Sequence, residues 1–318
     1  MEPGNDATDD RRRCPRNLQD VLRMAIEAGE SSNEPVPRED PPHPDVERQR
    51  FLVEALNGMN VDIVRIIKDA TDALTVNLKR GPSALETCEG ALDVIIEHVD
   101  NLDNANVFVR LEGFPTLAEC LESPHPSIRW RAAEIVAICT QNNYFSQAKA
   151  MEMRLLEPLV AMTDRDSDDQ CKTKAFFAVS NIVRDYPGGL KEFLRLNGFS
   201  TVKKAIKSDN KRLKNKAVLF LSSVVAHQPN VIWDVVSMGF PEILILQLRE
   251  EPTPEDEYLV TSLINMVQNS QEALNTCKRS DLRLVNVLKQ LIDHPTAKEC
   301  YLELVEKAHE LITILEKA

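Results

Sequence analysis

The 318-residue chain has no apolar run of the roughly 18 residues that a membrane span requires. Its opening, MEPGNDATDDRRRCPR, lacks the apolar stretch of a secretory signal, and its closing ILEKA is no retention signal. The expected compartment is the cytoplasm, with the nucleus as a second. The seven cysteines, at 14, 88, 120, 139, 171, 277 and 300, never come closer than 19 residues. That excludes CxxC redox motifs and zinc spacing, and leaves free thiols acting as small hydrophobes in a reducing compartment. No GxxxxGK[ST], GxGxxG, HExxH or GxSxG is present. The six histidines, at 43, 98, 125, 227, 294 and 309, form no short-spaced metal pair. No catalytic residue, metal, cofactor or enzyme activity is therefore expected. A basic excess is missing as well. A net charge of −12 argues against nucleic acid or an anionic membrane as partner, and leaves room for a protein with a basic or mixed surface.

Strand alternation is absent from about residue 45 onward, where helical spacing prevails. Before it, NLQDVLRMAIEAG at 17–29 places Leu18, Val21, Leu22, Ala25 and Ile26 at helical intervals. The stretch SSNEPVPREDPPHP at 31–44 carries five prolines and reads as an extended linker.

What the chain does have is repetition. RLEGFPTLAECLES at 110–123 returns as RLNGFSTVKKAIKS at 195–208, and SMGFPEILILQL at 237–248 is a third echo. A second pattern is more regular. Four core-facing slots at i, i+4, i+7 and i+8 hold Ala91, Ile95, His98, Val99; Ala132, Val136, Cys139, Thr140; Ala175, Val179, Ile182, Val183; Ala217, Leu221, Val224, Val225; and Leu259, Leu263, Met266, Val267. Their starts step by 41 to 43 residues. His98 in such a slot reads as a hydrogen-bonded interior histidine. Each unit is a helical module that cannot bury its apolar face alone, so neighbours must stack. The Gly-Phe phrase marks the joint between a short first helix and a second. Glycine is expected there for its tolerance of positive φ, with Phe packed into the joint. Where the phrase is missing, Leu155-Leu156 replaces it. Three helices in about 42 residues is the armadillo pattern. The fold expected is all-α, a right-handed α-solenoid of about four to five three-helix repeats with helical caps.

Slots i+2, i+6, i+9 and i+10 lie across each third helix from its core slots. They are mostly polar, grading from acidic in the first unit to neutral amides in the last, with Ile138, Leu219 and Ala226 interrupting. Five helices about 10 Å apart make a face of roughly 40–50 Å, the scale of a folded domain rather than a metabolite. Cations recur at i−1 (Arg131, Lys174, Lys216) and at i−3 (Arg129, Lys172, Lys214), near helix N-termini that disfavour them. Two readings stand: a contact line for an acidic partner, or pairing with neighbouring carboxylates. Trp130 beside them is read as buried against the preceding helix, with a partner hot spot as the alternative. The partner-binding residues expected from this face are Asp93, Glu97, Asp100, Asn101, Arg131, Glu134, Gln141, Asn142, Lys174, Asn181, Arg184, Asp185, Lys216, Ser223, His227 and Asn265.

The phrases VDNLDNANVFVRLEG, SIRWRAAEIVAICTQN, MTDRDSDDQCKTKAFFAVSNIVRDYPGGLKEFLRLNGF and LVTSLINMV, with the 17–29 stretch, resemble the heat shock protein 70-binding protein 1 family. That resemblance runs from about residue 15 to past 275. It implies an armadillo-type nucleotide exchange factor whose concave face holds a lobe of the chaperone's ATPase domain and promotes ADP release. It also implies an N-terminal segment that helps clear client peptides. The domain plan expected is 1–45 as a flexible segment, 46–105 as cap and first repeat, 106–270 as central repeats and 271–318 as a C-terminal cap. A monomer is expected. Two other readings stay open. One is an adaptor such as an import-like peptide receptor, against which the irregular Asn and missing Trp ladder weighs. The other is an adaptor that restrains a chaperone-linked ubiquitin ligase.

Overall fold

The computed structural model describes residues 62–249 and 251–317, which belong to one compact unit, 62–318. The helix expected at 17–29, the linker at 31–44 and the start of the expected cap at 46–61 lie outside the described residues. No strand occurs among the described residues, and no described helix is long and apolar enough to cross a membrane.

The helices are α1 (Ile63–Leu78), α2 (Leu85–His98), α3 (Leu102–Arg110), α4 (Gly113–Leu121), α5 (Pro126–Thr140), α6 (Tyr144–Glu152), α7 (Leu156–Arg165), α8 (Asp169–Val183), α9 (Pro187–Arg195), α10 (Gly198–Lys207), α11 (Lys211–His227), α12 (Ile232–Ser237), α13 (Phe240–Ile245), α14 (Asp256–Asn269), α15 (Gln271–Cys277), α16 (Leu284–Asp293), α17 (Pro295–Cys300) and α18 (Leu302–Lys317). Short first helices, middle second helices and long third helices recur in that order. The third helices pack in a row, α2 on α5, α5 on α8, α8 on α11, α11 on α14 and α14 on α18. The four repeating slots are the reason. Ala132, Val136, Cys139 and Thr140, and their counterparts in α8, are all buried. His98 is the partial exception, half-buried with Nδ1 2.8 Å from the Val94 carbonyl oxygen.

The terminal helix α18, expected as a cap, closes the row in register. Leu304, Ala308, Leu311 and Ile312 fill the same four slots and are buried. The step from Leu259 to Leu304 is 45 residues, longer than the others, and α17 occupies the extra length.

The joints between first and second helices depart from expectation. Each does turn through a left-handed residue: Glu112, Arg154, Asn197, Gly239 and Arg283, with φ of 58°, 54°, 54°, 80° and 49°. Only one of the five is glycine. In the two phrases RLEGF and RLNGF the glycine follows the turning residue and opens the next helix. Its role is close approach. A Cβ on Gly113 would sit 2.3 Å from the Phe108 ring, and one on Gly198 2.2 Å from the Phe193 ring. At the Arg154 joint, which lacks the phrase, Leu155 replaces the glycine and Ala150 replaces the phenylalanine. Bulk moves from one side of the joint to the other and the space stays filled. The following Phe packs as expected: Phe114 stands edge-on to Phe108 at 6.4 Å, and Phe199 to Phe193 at 5.5 Å.

Cys88, Cys120, Cys139, Cys171 and Cys277 are buried, as small hydrophobes should be, whereas Cys300 is exposed and Cys14 lies outside the described residues. Burial pushes the Cys120 and Cys277 thiols up to about 12, which keeps them unreactive.

Candidate partner-binding surface

Two of the third helices, α8 and α11, start from side-chain caps. Asp168 accepts from the Cys171 N–H at 2.8 Å and Asn210 from the Leu213 N–H at 3.1 Å. These caps fix the register of α8 and α11, and so fix which side chains meet across the row. From α5 to α11 the meeting follows one rule: the i−1 residue of a helix reaches the i+2 residue of the helix before it.

Three rungs obey it. The Arg131 guanidinium grips Asp93 with both prongs, Nε–Oδ1 at 2.7 Å and Nη2–Oδ2 at 3.1 Å. Lys174 pairs with Glu134. Lys216 has no carboxylate in the matching slot and lies instead over the Phe177 ring, Nζ 4.1 Å from its centroid. The next pair in this register, Tyr258 and Leu219, is apolar and partly exposed on both sides. The row thus passes from ionic to cation–π to apolar. For Arg131 and Lys174 the pairing reading of the cationic column applies. It applies to Arg129 too, whose fork closes on both Asp166 oxygens at 2.8 Å. Burial favours the protonated form of Asp166, but Arg129 and the Asp168 N–H outweigh it and hold its carboxyl below the usual carboxylate value. Trp130 is neither fully buried nor free. The Arg131 guanidinium lies 4.4 Å and the Lys174 ammonium 5.9 Å from its ring.

Asn181 corrects the expected site. It is buried, and its Nδ2 donates at 2.9 Å to the Ala137 carbonyl near the C-terminal end of α5. It thereby satisfies a helix-end acceptor of the neighbouring repeat, so it is structural in this fold. Gln147, which the sequence reading passed over, does the same for α8 by donating from Nε2 to the Asn181 and Arg184 carbonyls at 2.8 and 3.0 Å. The slot arithmetic places Asn181 away from its own helix's core; it carries no information about the next helix's carbonyls.

The other expected residues reach the surface. Glu97, Asp100, Gln141, Asn142 and Asp185 are exposed, the last two of the three C-terminal ones in left-handed conformation with φ of 51° and 57°. Asn101 is exposed but committed to capping α3, accepting from the Asp103 N–H at 2.8 Å. Asn265 is half-buried and folds back on the Thr261 carbonyl at 2.9 Å. Arg184, Asp185, Ser223 and His227 come together around one shallow cleft between α8 and α11. There His227 Nδ1 lies 2.8 Å from the Ser223 carbonyl oxygen. Arg184 is poorly served: Nη2 donates to Ser180 Oγ at 3.2 Å, while the buried Nε has no acceptor among the described residues. Burial, and then repulsion from Lys174 and Arg184, pull the Lys216 pKa down, with Glu134 alone opposing.

A stack of three-helix repeats with a continuous row of third helices defines the class: an armadillo-type helical repeat protein. Solved structures agree on the fold. A designed armadillo repeat protein is 15% identical with a TM-score of 0.65, covering 78% of this chain and 99% of that chain. The armadillo-repeats-only protein of Plasmodium falciparum is 15% identical with a TM-score of 0.54, covering 66% of this chain and 95% of that one.

Sequence relatives narrow the class. Residues 18–108 match the family described as nucleotide exchange factor Fes1, and residues 104–232 the SIL1/FES1/HPBP1 C-terminal domain. Hsp70-binding protein 1 of Mus musculus is 32% identical over 312 residues, 94% of this chain and 86% of that protein. The Hsp70 nucleotide exchange factor FES1 of Yarrowia lipolytica is 30% identical over 187 residues, 57% of this chain and 66% of that protein. The chain belongs to the Hsp70-binding protein 1 family.

Proposed function

We propose that this protein is a nucleotide exchange factor of a cytosolic Hsp70 chaperone and holds the chaperone's ATPase domain on its third-helix face. The observation that carries this reading is the 32% identity to Hsp70-binding protein 1 across 94% of the chain. The uninterrupted row from α2 to α18 supplies a surface of domain size for it.

The mechanism needs no bond chemistry from this chain. An exchange factor works by binding the nucleotide-open state of the ATPase domain more tightly than the ADP-closed state. Its effect is limited by that difference in affinity, about 1.4 kcal/mol for every tenfold shift. A stiff stack suits the task, because a face that deformed to fit both states would discriminate neither. Residues proposed to meet the chaperone are Glu97, Asp100, Gln141, Asn142, Arg184, Asp185, Lys216, Ser223 and His227. The protein is proposed to act as a monomer in the cytoplasm. The segment 17–29 is proposed to help clear client peptides.

An import-like peptide receptor is disfavoured by one observation. Such a groove needs its asparagines free to hold a peptide backbone, and Asn181 is spent on Ala137. Restraint of a chaperone-linked ubiquitin ligase would operate through the chaperone-bound form and is compatible with exchange.

The test is stopped-flow release of a fluorescent ADP analogue from a cytosolic Hsp70, with and without this protein. Acceleration that saturates with concentration is expected. Binding without acceleration would replace exchange by the adaptor reading, and no binding would remove the chaperone as partner.

A further inference from the structure

The third-helix face is not one uniform contact surface. In its N-terminal half the cations are already committed, which leaves the exposed Glu97, Asp100, Gln141 and Asn142 as rim contacts. Arg131 is committed to Asp93 with both prongs and approaches Glu89 at 4.0 Å, Lys174 is committed to Glu134, and Asn181 is buried. A ligand that recruited these groups would first have to break ion pairs that already hold adjacent repeats together.

The C-terminal half is the reverse. Lys216 has an aromatic ring beneath it and no carboxylate within ion-pairing distance among the described residues. Arg184 keeps one weak side-chain hydrogen bond at 3.2 Å and a buried Nε–H without an acceptor. Swinging its guanidinium outward costs that single bond. Next to these cations the row turns apolar, with Leu219 39% and Tyr258 37% exposed in facing register slots. His227 forms the edge of the cleft that holds Arg184. The result is a patch of unpaired positive charge beside exposed apolar side chains, in a chain whose net charge is −12. Partly desolvated Arg with adjoining aromatic and apolar groups is the composition of binding hot spots.

We propose that the chaperone contact has its energetic centre here, on Arg184, Lys216, Leu219 and Tyr258, and that it receives a segment of the ATPase domain bearing a carboxylate next to an apolar side chain. The Arg131–Asp93 and Lys174–Glu134 rungs shape the face without binding through it. The inference rests on the exchange-factor reading. It adds which part of the face binds and what chemistry it selects. An acidic partner segment supplies the acceptors that Arg184 and Lys216 lack, and an apolar neighbour covers Leu219.

The full chain is titrated with the isolated Hsp70 ATPase domain by calorimetry, and ADP-analogue release is followed in parallel. Four variants are compared: Arg184→Gln, Lys216→Met, Leu219→Ala, and the charge-swapped rung Asp93→Arg with Arg131→Glu. Thermal unfolding checks each for folding. Lys216→Met keeps an unbranched chain over Phe177, so it removes charge without opening a gap. Arg184→Gln and Leu219→Ala are each expected to weaken binding by roughly tenfold or more. The swapped rung should stay within about threefold of wild type, because the pair is rebuilt in reverse. Raising the salt should weaken wild-type binding more steeply than Lys216→Met binding, as loss of an unscreened cation requires. The proposal is overturned if the folded C-terminal variants bind like wild type, or if the swapped rung alone loses binding. Wild-type protein that neither binds nor accelerates release would sink the exchange-factor reading itself, a result distinct from variants that fail to discriminate.

Discussion

Phe193 and Gly198 offer a test of how the joints are filled. Phe193 is fully buried and stands edge-on to Phe199 at 5.5 Å and to Phe220 at 5.4 Å. Truncating it to alanine removes a complete ring from a close-packed site, a loss of about 3–5 kcal/mol. Gly198→Leu alone sends a Cβ to 2.2 Å from Phe193 Cε2 and its branches further in. The two flanking rings block any retreat, so overpacking costs about 1–3 kcal/mol at least. Made together, the substitutions recreate the Ala150–Leu155 pair that the preceding joint already uses. A buried leucine then recovers about 1.5–3 kcal/mol of what the ring gave up. The double variant should therefore be more stable than Phe193→Ala by ~2 kcal/mol, and since Gly198→Leu alone is costly, the cycle should show a favourable coupling energy of about 3–5 kcal/mol. Urea unfolding of the four proteins, with midpoint and slope both fitted, measures it. Losses that simply add, or a double variant weaker than Phe193→Ala, would refute the idea that the two residues trade volume across one space.

Asn181→Ala should destabilise by about 1–3 kcal/mol, since it leaves the Ala137 carbonyl with only the long 3.4 Å bond from Thr140 Oγ1, while leaving chaperone affinity nearly unchanged; denaturant midpoints and calorimetry read the two effects separately. The carboxyl of Asp166 is held below its ordinary 3.8, so its contribution to stability is in place above that pH and fades as the pH falls through the lower folded value. The gap in melting temperature between wild type and Asp166→Asn should accordingly be widest near neutrality and shrink below pH ~4; a constant gap would mean that the Arg129 clasp does not titrate. Ala308→Glu buries an unpaired charge in α18 and should unfold more than the last helix, by several kcal/mol, if that helix belongs to the stacked row. Local fraying with the rest intact, seen by amide exchange, would make α18 a detachable end.

The row of third helices was legible because burial repeats with the helix. Slots such as Ala175, Val179, Ile182 and Val183 must be apolar in every unit, whatever the partner. The joints were misread because backbone conformation there is imposed by packing on either side: Glu112, Arg154 and Arg283 turn left-handed without the residue type that signals it. The glycines signalled something else, a ring pressed against the next helix's first turn. The pattern in α18 was present in the letters but displaced by the longer step that α17 takes up. On the candidate face, helical arithmetic recovered which residues leave their own helix's core. It could not say which of them meet another helix. Arg131 and Asp93 are 38 positions apart, and only stacking shows that each answers the other.

The rule linking i−1 to i+2 gives the stack a direction. From α5 to α11 each helix reaches back to its predecessor, much as a growing polymer adds each unit to the one before. The first helix of the row has Gly90 at the reaching position, which has no side chain to reach with. The last, α18, has Glu303 there, facing a predecessor whose own Glu257 is raised in pKa by burial and by that same carboxylate. Both ends are thus unsuited to splicing. A copy of the unit that carries Arg131 and Glu134 could be duplicated in place, because it brings both a hand to reach back and a hold for the next. The same duplication at either end would find no match. Length in this architecture can change from the inside and not from its ends.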